Sequence, residues 1–397
     1  MPIPSQTQLM LPLLTILDER GGARPKDIYD EVAKRVGLSE EDRRRTIQRS
    51  GQAVNEFERR VRWTRQTAVF QGLIDKRERS IWNITETAKT KLGNIRLGTI
   101  LTFAIGERGA LIWANAEDAV SVIERNSIQL LCASPPYNLL RPREYGRGST
   151  RTSEWVDWML FHVERFLPLL TVDGSMMLNL GRTFKKGLPA QALHIERLLI
   201  KMEDALGIHL LQEISWNNPT KLPPLQWVGK QRMRVTPSIE QILWVSMNPH
   251  AYGNNLSVLR PYSKKGIHEI LNPREHKKRP CGEKFGPTSF VDRGGSIPQS
   301  LIQATPTGKD DAAYRRAMRA AGMEPHPATM PAAVARFCIL LASREGDTVL
   351  DTFSGSGTVP IEAMRLGRIG IGIDRSRLYN QGAIIRAQTV GIDLLAA

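Results

Sequence analysis

Ser134, Pro135, Pro136 and Tyr137 follow directly on the apolar run SIQLLCAS at 127–134. The run reads as a buried parallel strand. A proline pair cannot continue such a strand, because neither residue donates to the ladder. The chain therefore leaves the sheet here, with the Ser134 and Pro135 carbonyls free to accept hydrogen bonds and a tyrosine following. At the carboxyl edge of an open α/β sheet, that is where ligands bind.

A second constellation is VLDTFSGSGTVPIEAMRLGRIGIGID at 349–374, which reads as strand, glycine turn, helix, strand and acid. Gly355 and Gly357 permit positive φ and close backbone approach to a ligand. The turn feeds a helix N-terminus, whose unpaired N–H groups suit a carboxylate or phosphate. Asp374 ends the following strand, placed to bind ribose hydroxyls. Together these parts describe a ligand that contains a nucleoside. The dinucleotide fingerprint does not fit, since Pro360 stands where its third glycine would be. No lysine follows the turn as a P-loop requires.

The elements that carry these residues alternate. ALIWANAEDAVSVI and SIQLLCASPPY read as strand, helix and strand; SEWVDWMLFHVERFLPLL as a helix; GSMMLNLG, HLLQEISWNNP and SIEQILWVSM as strands. After residue 326 the alternation returns, with a helix in MPAAVARFCILLAS, a strand in DTVLDTF, and a final helix in LYNQGAIIRAQ. Alternating elements predict α/β architecture, a doubly wound, mostly parallel Rossmann-like sheet with helices on both faces. Residues 260–325 break the rhythm and read as an irregular basic insertion, carrying Lys264, Lys265, Lys277, Lys278 and Arg279.

Residues 1–98 read as a separate domain. Three amphipathic helices are followed by a basic hairpin, DKRERSIW, around Lys76 to Arg79. Helices followed by a basic hairpin predict a winged helix. Arg59, Arg62 and Arg65 crowd onto its third helix, read over 57–74.

The 397-residue chain carries a formal net charge of +15, which favours an acidic polymer, most simply nucleic acid, as partner. Cys132, Cys281 and Cys338 show no metal-ligand spacing and no disulfide framework. No apolar run is long enough to span a membrane, and the first twenty residues lack the basic region of a signal peptide. The expectation is a cytoplasmic protein without a metal.

SPPY, DTFSGSGT and GID, in that order and with a basic region between the first two, resemble the amino-group DNA methyltransferases that use S-adenosyl-L-methionine, in the permuted class usually called beta. GGSIPQSLI at 294–302 and HPATMPAAVARFCILLASREGDTVLDTF at 326–353 resemble members that methylate cytosine N4. The resemblance covers roughly residues 100–390. It implies a methyltransferase domain over 99–397 with a target-recognition insertion at about 260–325, acting on double-stranded DNA, with a cognate restriction endonuclease as partner. It implies Ser134, Pro135, Pro136 and Tyr137 as the catalytic loop, and Asp351, Phe353, Ser354, Gly355, Ser356, Gly357, Thr358 and Asp374 as the cofactor site. Asn115 stands where the family often has an aspartate that contacts the adenine amino group, and Thr352 where it usually has proline. The N-terminal segment resembles that of Mrr-type restriction endonucleases through LPLLTILDE, RVRWTRQTAVFQGLID and WNITETAK.

The resemblance also supplies a chemistry for the proline loop. An exocyclic cytosine amine is a poor nucleophile because its lone pair is delocalised into the ring. Acceptors that hold its N–H groups out of plane localise the pair and stabilise the charge that develops on nitrogen. Ser134 Oγ and the Pro135 carbonyl are those acceptors, and Tyr137 offers a face to an extruded base. Serine at 134 favours cytosine N4 by family tendency. An adenine-N6 enzyme and a non-catalytic DNA-binding regulator stay open as alternatives.

Overall fold

The computed structural model describes residues 3–396 apart from 5, 37, 50–51, 76–79, 86–87, 89–97, 139–150, 273–276, 279, 281, 283 and 286–290. The chain divides into two compact units, Met1–Ile95 and Arg96–Ala397.

The first unit packs helices Gln6–Glu19, Pro25–Arg35, Glu40–Arg44 and Glu56–Phe70 with the antiparallel hairpin β1 (Thr46–Arg49) and β2 (Gln52–Asn55). Proline opens the second helix, where its missing N–H costs nothing. Asn55 caps the last helix by accepting from the Glu58 N–H. Leu9, Leu13, Leu17, Ile28, Val32, Phe57 and Val61 form the core. The β1–β2 hairpin is not legible in the sequence, because its strands are short and largely polar. Antiparallel bridges join Ala23 to Trp82 and Ile74 to Ile84. Lys76–Arg79, the expected tip of the basic hairpin, lie outside the described residues.

The second unit is built on β3 (Ile100–Gly106), β4 (Gly109–Ala114), β5 (Ile128–Ala133), β6 (Leu170–Gly181), β7 (His209–Asn217), β8 (Ile239–Ser246), the short pair β9 (Lys277–Lys278) and β10 (Lys284–Phe285), β11 (Leu301–Gln303), β12 (Thr348–Asp351), β13 (Ile369–Asp374) and β14 (Leu395–Ala396). Apart from the separate β9–β10 ladder, these form one sheet in the order β11-β7-β8-β6-β5-β12-β13-β4-β3-β14. Its centre, β6-β5-β12-β13-β4, is parallel throughout. Every residue of β5 is buried, Gln129 included, whose amide donates to the Asp173 carbonyl and accepts from the Thr171 hydroxyl.

Alternate residues of β5 serve opposite faces. Leu131 and Ala133 join Met176 and Leu178 under helices Thr152–Phe166 and His194–Leu206. Leu130 and Cys132 join Ile242 and Val349 under helix Ala332–Ala342. The sheet is thus doubly wound, as the alternation predicts. Cys132 and Cys338 are buried free thiols.

Residues 260–325 are less irregular than their composition suggests. They hold helix Lys264–Leu271, the β9–β10 ladder, β11 paired parallel to β7, and helix Lys309–Ala320. The last helix buries Asp311, Tyr314 and Met318 and packs against the final helix, Arg377–Thr389. Its apolar stripe is too narrow among charged residues to register as periodicity.

Candidate active site

The two motifs meet because of strand pairing. β5 lies parallel to β12, with Leu130 opposite Val349 and Leu131 opposite Leu350. From β12 the chain crosses to β13 on one side, and from β5 it crosses to β6 on the other. The crevice at that reversal is where open α/β sheets bind ligands. Ser134–Tyr137 and Thr352–Thr358 emerge into it side by side.

The proline loop is held from several directions. Pro135 is buried, and the Pro136 carbonyl accepts from Trp155 Nε1 at 2.9 Å. Ser134 Oγ lies 3.1 Å from the Tyr137 hydroxyl. That hydroxyl donates to Glu240 Oε2 at 2.6 Å. Asn179 Nδ2 donates its two hydrogens to the Tyr137 oxygen at 2.8 Å and to Glu240 Oε2 at 3.0 Å, and lies 3.4 Å from Ser134 Oγ. Lys221 Nζ pairs with Glu240 Oε1 at 2.8 Å. Burial and the Glu240 charge push the Tyr137 phenol well above its ordinary value, so it stays protonated. β6 ends in Gly181, where an added Cβ would lie 2.6 Å from Tyr137 Cε2. The Tyr137 ring is therefore anchored at its hydroxyl and along one edge.

In the glycine turn, Gly355 and Gly357 have φ of +51° and +73°. A Cβ at 357 would lie 2.6 Å from Ala383 Cβ, so glycine lets the loop pack onto the last helix. Helix Thr358–Arg365 starts directly after. Phe353 joins an aromatic wall with Trp158, His162 and Phe166 at centroid distances of 5.9, 5.7 and 6.3 Å. Ser354 N–H donates to the Ile373 carbonyl, and the Ser354 and Thr352 hydroxyls are buried without a partner among the described residues.

Asp374 does more than the sequence suggests. Its Oδ2 accepts from Gly355 N–H at 2.9 Å and its Oδ1 from Ser376 N–H at 2.7 Å. It fastens the glycine turn, and each oxygen keeps a lone pair for a further donor. Withdrawal from solvent raises its pKa to about 6. Asp351, buried, is raised to about 8 by the same cause, against a bond from the Phe353 N–H. An acid raised on folding binds its proton more tightly in the folded state. The Asp351 contribution to stability is therefore fully present below about pH 4, is lost as pH rises toward about 8, and changes no further above that. Asp351→Asn keeps an acceptor for Phe353 and removes the ionisation. Its melting temperature should be flatter than wild type between pH 5 and 8 and higher at pH 9, read by circular dichroism. Parallel curves would show that Asp351 is not the buried acid described.

Asn115 follows β4 at the same sheet edge and donates to Asp118 Oδ2 at 3.4 Å. Lys264 and Lys265 open an exposed helix, Lys277 and Lys278 form β9, and Arg279 lies outside the described residues. In the first unit, Arg62 is exposed, Arg59 is partly buried, and the Arg65 guanidinium stacks 5.8 Å from the Trp82 ring centroid.

Three groups escape the sequence reading. One is Asn179, Lys221 and Glu240, described above. Another is the buried pair Arg386–Asp311 at 3.1 Å. Arg386 also donates to the Ser356 carbonyl and hydroxyl, and Asp311 accepts from Ala332 N–H, so the pair ties the glycine turn to three helices. The last is the loop 218–238, at the same edge. It exposes Leu222, Leu225, Met233 and Val235 beside Lys230, Arg232 and Arg234, with no acidic residue. The first two groups carry no local signal; the acid-free stretch of the loop is visible in the sequence. Among the described residues, no cluster of His, Cys, Asp or Glu is placed to hold a metal ion, and no helix is long and apolar enough to cross a membrane.

Residues 128–385 match the family model described as DNA methylase, and residues 7–94 match the Mrr N-terminal domain. The chain is 33% identical to the type II methyltransferase M.PvuII of Proteus hauseri, over 68% of this chain and 81% of that one. It is 27% identical to M.HpaI of Haemophilus parainfluenzae, over 68% and 71% of the two chains. The solved structure of PvuII DNA methyltransferase (cytosine-N4-specific) superposes with a TM-score of 0.59 at 26% identity, covering 72% of this chain and 90% of that chain.

Proposed function

Because the chain belongs to the DNA methylase family, we propose that it transfers a methyl group from S-adenosyl-L-methionine to the N4 amine of cytosine in duplex DNA. The observation that carries this reading is the proline loop lying beside the glycine turn across the paired strands β5 and β12. The motif order, SPPY before the glycine turn, further supports assignment to the permuted beta class.

The crevice fits the cofactor. Asp374 retains lone pairs for a ribose diol, Phe353 offers an apolar wall to a base, and the left-handed glycines leave room beside a helix start. When bound, S-adenosyl-L-methionine supplies a methyl group already activated on a sulfonium. The protein's part is positioning. The Ser134 hydroxyl and the Pro135 carbonyl accept from the amine, the prolines hold those acceptors still, and the amine lone pair is directed at the methyl carbon. The target base reaches them by extrusion from the duplex, passing over Tyr137.

Nucleoside analysis of DNA incubated with the protein and cofactor should show N4-methylcytosine. N6-methyladenine alone would overturn the base assignment and keep the class.

We assign the loop 218–238 and the insertion lysines Lys264, Lys265, Lys277 and Lys278 to phosphate contact in the target-recognition surface, together with Arg279, next in sequence and outside the described residues. The N-terminal unit, read as a winged helix, adds a second duplex contact through Arg59 and Arg62. Lys230→Gln with Arg232→Gln should weaken cognate and random duplexes alike and reduce the salt slope by about 2. Deletion of 1–95 should lower the slope while sparing cofactor binding. An unchanged slope in either case removes that surface from the interface. A cognate restriction endonuclease is the partner this function implies.

A further inference from the structure

We propose that Glu240, on β8, is a positioning residue that sets the direction of the hydroxyl chain ending at Ser134 and receives the proton that the target amine gives up. The proposal rests on the methyltransferase reading above and extends it to residues that the SPPY loop does not contain.

The argument is a count of protons. The Tyr137 hydroxyl has one hydrogen. Glu240 is acceptor-only as a carboxylate, and at 2.6 Å it takes that hydrogen. Asn179 Nδ2 is a donor, so its 2.8 Å contact lands on a Tyr137 lone pair. In the remaining 3.1 Å contact between Ser134 and Tyr137, Ser134 must then donate. The two hydrogens of Asn179 Nδ2 serve its nearer acceptors, Tyr137 and Glu240, so the Ser134 oxygen, 3.4 Å from that nitrogen, keeps a lone pair for an incoming N–H. The direction of the two hydroxyl bonds is imposed by the one carboxylate, 7% exposed and held by Lys221 at 2.8 Å.

The same chain conducts a proton in one direction. The amine lone pair forms the new N–C bond, and the pair of the broken C–S bond returns to sulfur, leaving a neutral thioether. The methylated nitrogen carries a positive charge and must lose one hydrogen. It passes that proton to Ser134 Oγ, while the Ser134 hydrogen moves to Tyr137 and the Tyr137 hydrogen moves to Glu240 Oε2. The carboxylate ends as a neutral acid beside Lys221, and every hydroxyl ends with one hydrogen. No oxidant, reductant or other co-reactant enters.

Glu240→Gln tests this with almost no change of shape. Lys221 can only donate, so the new amide turns its carbonyl toward Lys221 and its NH2 toward Tyr137. The Tyr137 hydroxyl then loses its acceptor and points at Ser134, and Ser134 meets the amine with a hydrogen in place of a lone pair. For Glu240→Gln the expected result is a kcat lower by about 10²-fold, with the KM for DNA and the calorimetric affinity for S-adenosyl-L-methionine close to wild type; Asn179 Nδ2 loses its acceptor, so folding loses about 1–3 kcal/mol. Glu240→Asp, which keeps the charge, should recover part of the loss. Tyr137→Phe breaks the same chain in its middle. The double variant Glu240→Gln/Tyr137→Phe should therefore be no slower than the worse single variant, because residues acting as one unit are not additive.

Three results overturn the proposal. One is Glu240→Gln with near wild-type kcat. Another is a double variant whose loss is the product of the two single losses. The third is a loss in Glu240→Gln matched by an equal loss of cofactor affinity, which a purely structural residue would give. Wild type assayed alongside separates this from the underlying reading. If wild type makes N4-methylcytosine and Glu240→Gln does also at full rate, only the role of Glu240 falls. If wild type methylates no duplex, the methyltransferase reading fails and this proposal goes with it.

Discussion

Ser134→Ala is expected to lower turnover by about 10²–10³-fold, the range seen when one preorganised hydrogen-bond partner of a developing charge is removed. The structure explains why the effect should be confined to turnover. Among the described residues, Ser134 Oγ has only the 3.1 Å contact to Tyr137 and the 3.4 Å contact to Asn179. The bonds of Tyr137 and Asn179 to Glu240 survive without it. Folding should lose about 1 kcal/mol or less. The glycine turn is untouched, so calorimetric cofactor affinity should stay within about threefold of wild type, a change below about 0.7 kcal/mol. Measuring kcat and affinity on one preparation decides it. Parallel losses would show that Ser134 supports the cofactor pocket and not the transfer step.

Gly355→Val should remove cofactor binding while the protein stays folded. At φ +51° a β-branched residue carries strain of about 1–3 kcal/mol. Its Cβ would lie 3.3 Å from His326 Nε2, and the imidazole is buried and held neutral, with a pKa of about 4. The turn must move to relieve both, taking its N–H away from Asp374. An affinity loss of about 10²-fold or more corresponds to about 3 kcal/mol. Gly357→Val is the comparison. There the obstruction is Ala383 Cβ at 2.6 Å, in the core beneath the turn, so the melting temperature should drop together with affinity. Unchanged affinity in Gly355→Val would place the cofactor elsewhere.

Both predictions depend on residues that are legible in the sequence, and for a physical reason. A proline pair after an apolar run, and glycines between a strand and a helix, restrict the backbone locally. Local restriction is what a linear pattern records. The same holds for the alternation of elements, because burial on both sheet faces forces nearly continuous apolar strands such as β5, in which Gln129 alone is polar. The two-residue strand β14 and the three-residue strand β11 are too short to carry a pattern. Helix Lys309–Ala320 hid for the opposite reason, since its few buried side chains sit among charges that cover its outer face.

The sequence by itself determined the α/β class, the proline loop and the glycine turn. Tertiary structure decided what stands around them. The proline loop and the glycine turn become neighbours only through the pairing of β5 with β12. Glu240 comes to the Tyr137 hydroxyl because β8 runs antiparallel beside β6, bringing its first residues to the edge where β6 ends, with Gly181 opposite Glu240. Arg386 reaches Ser356 and is held by Asp311 from a second helix, and both helices show only surface-like charge in sequence. A carboxylate in a strand or helix looks the same in the chain whether it faces water or a tyrosine. Its role depends on which distant segment the fold places against it, and strand order and helix packing alone set that.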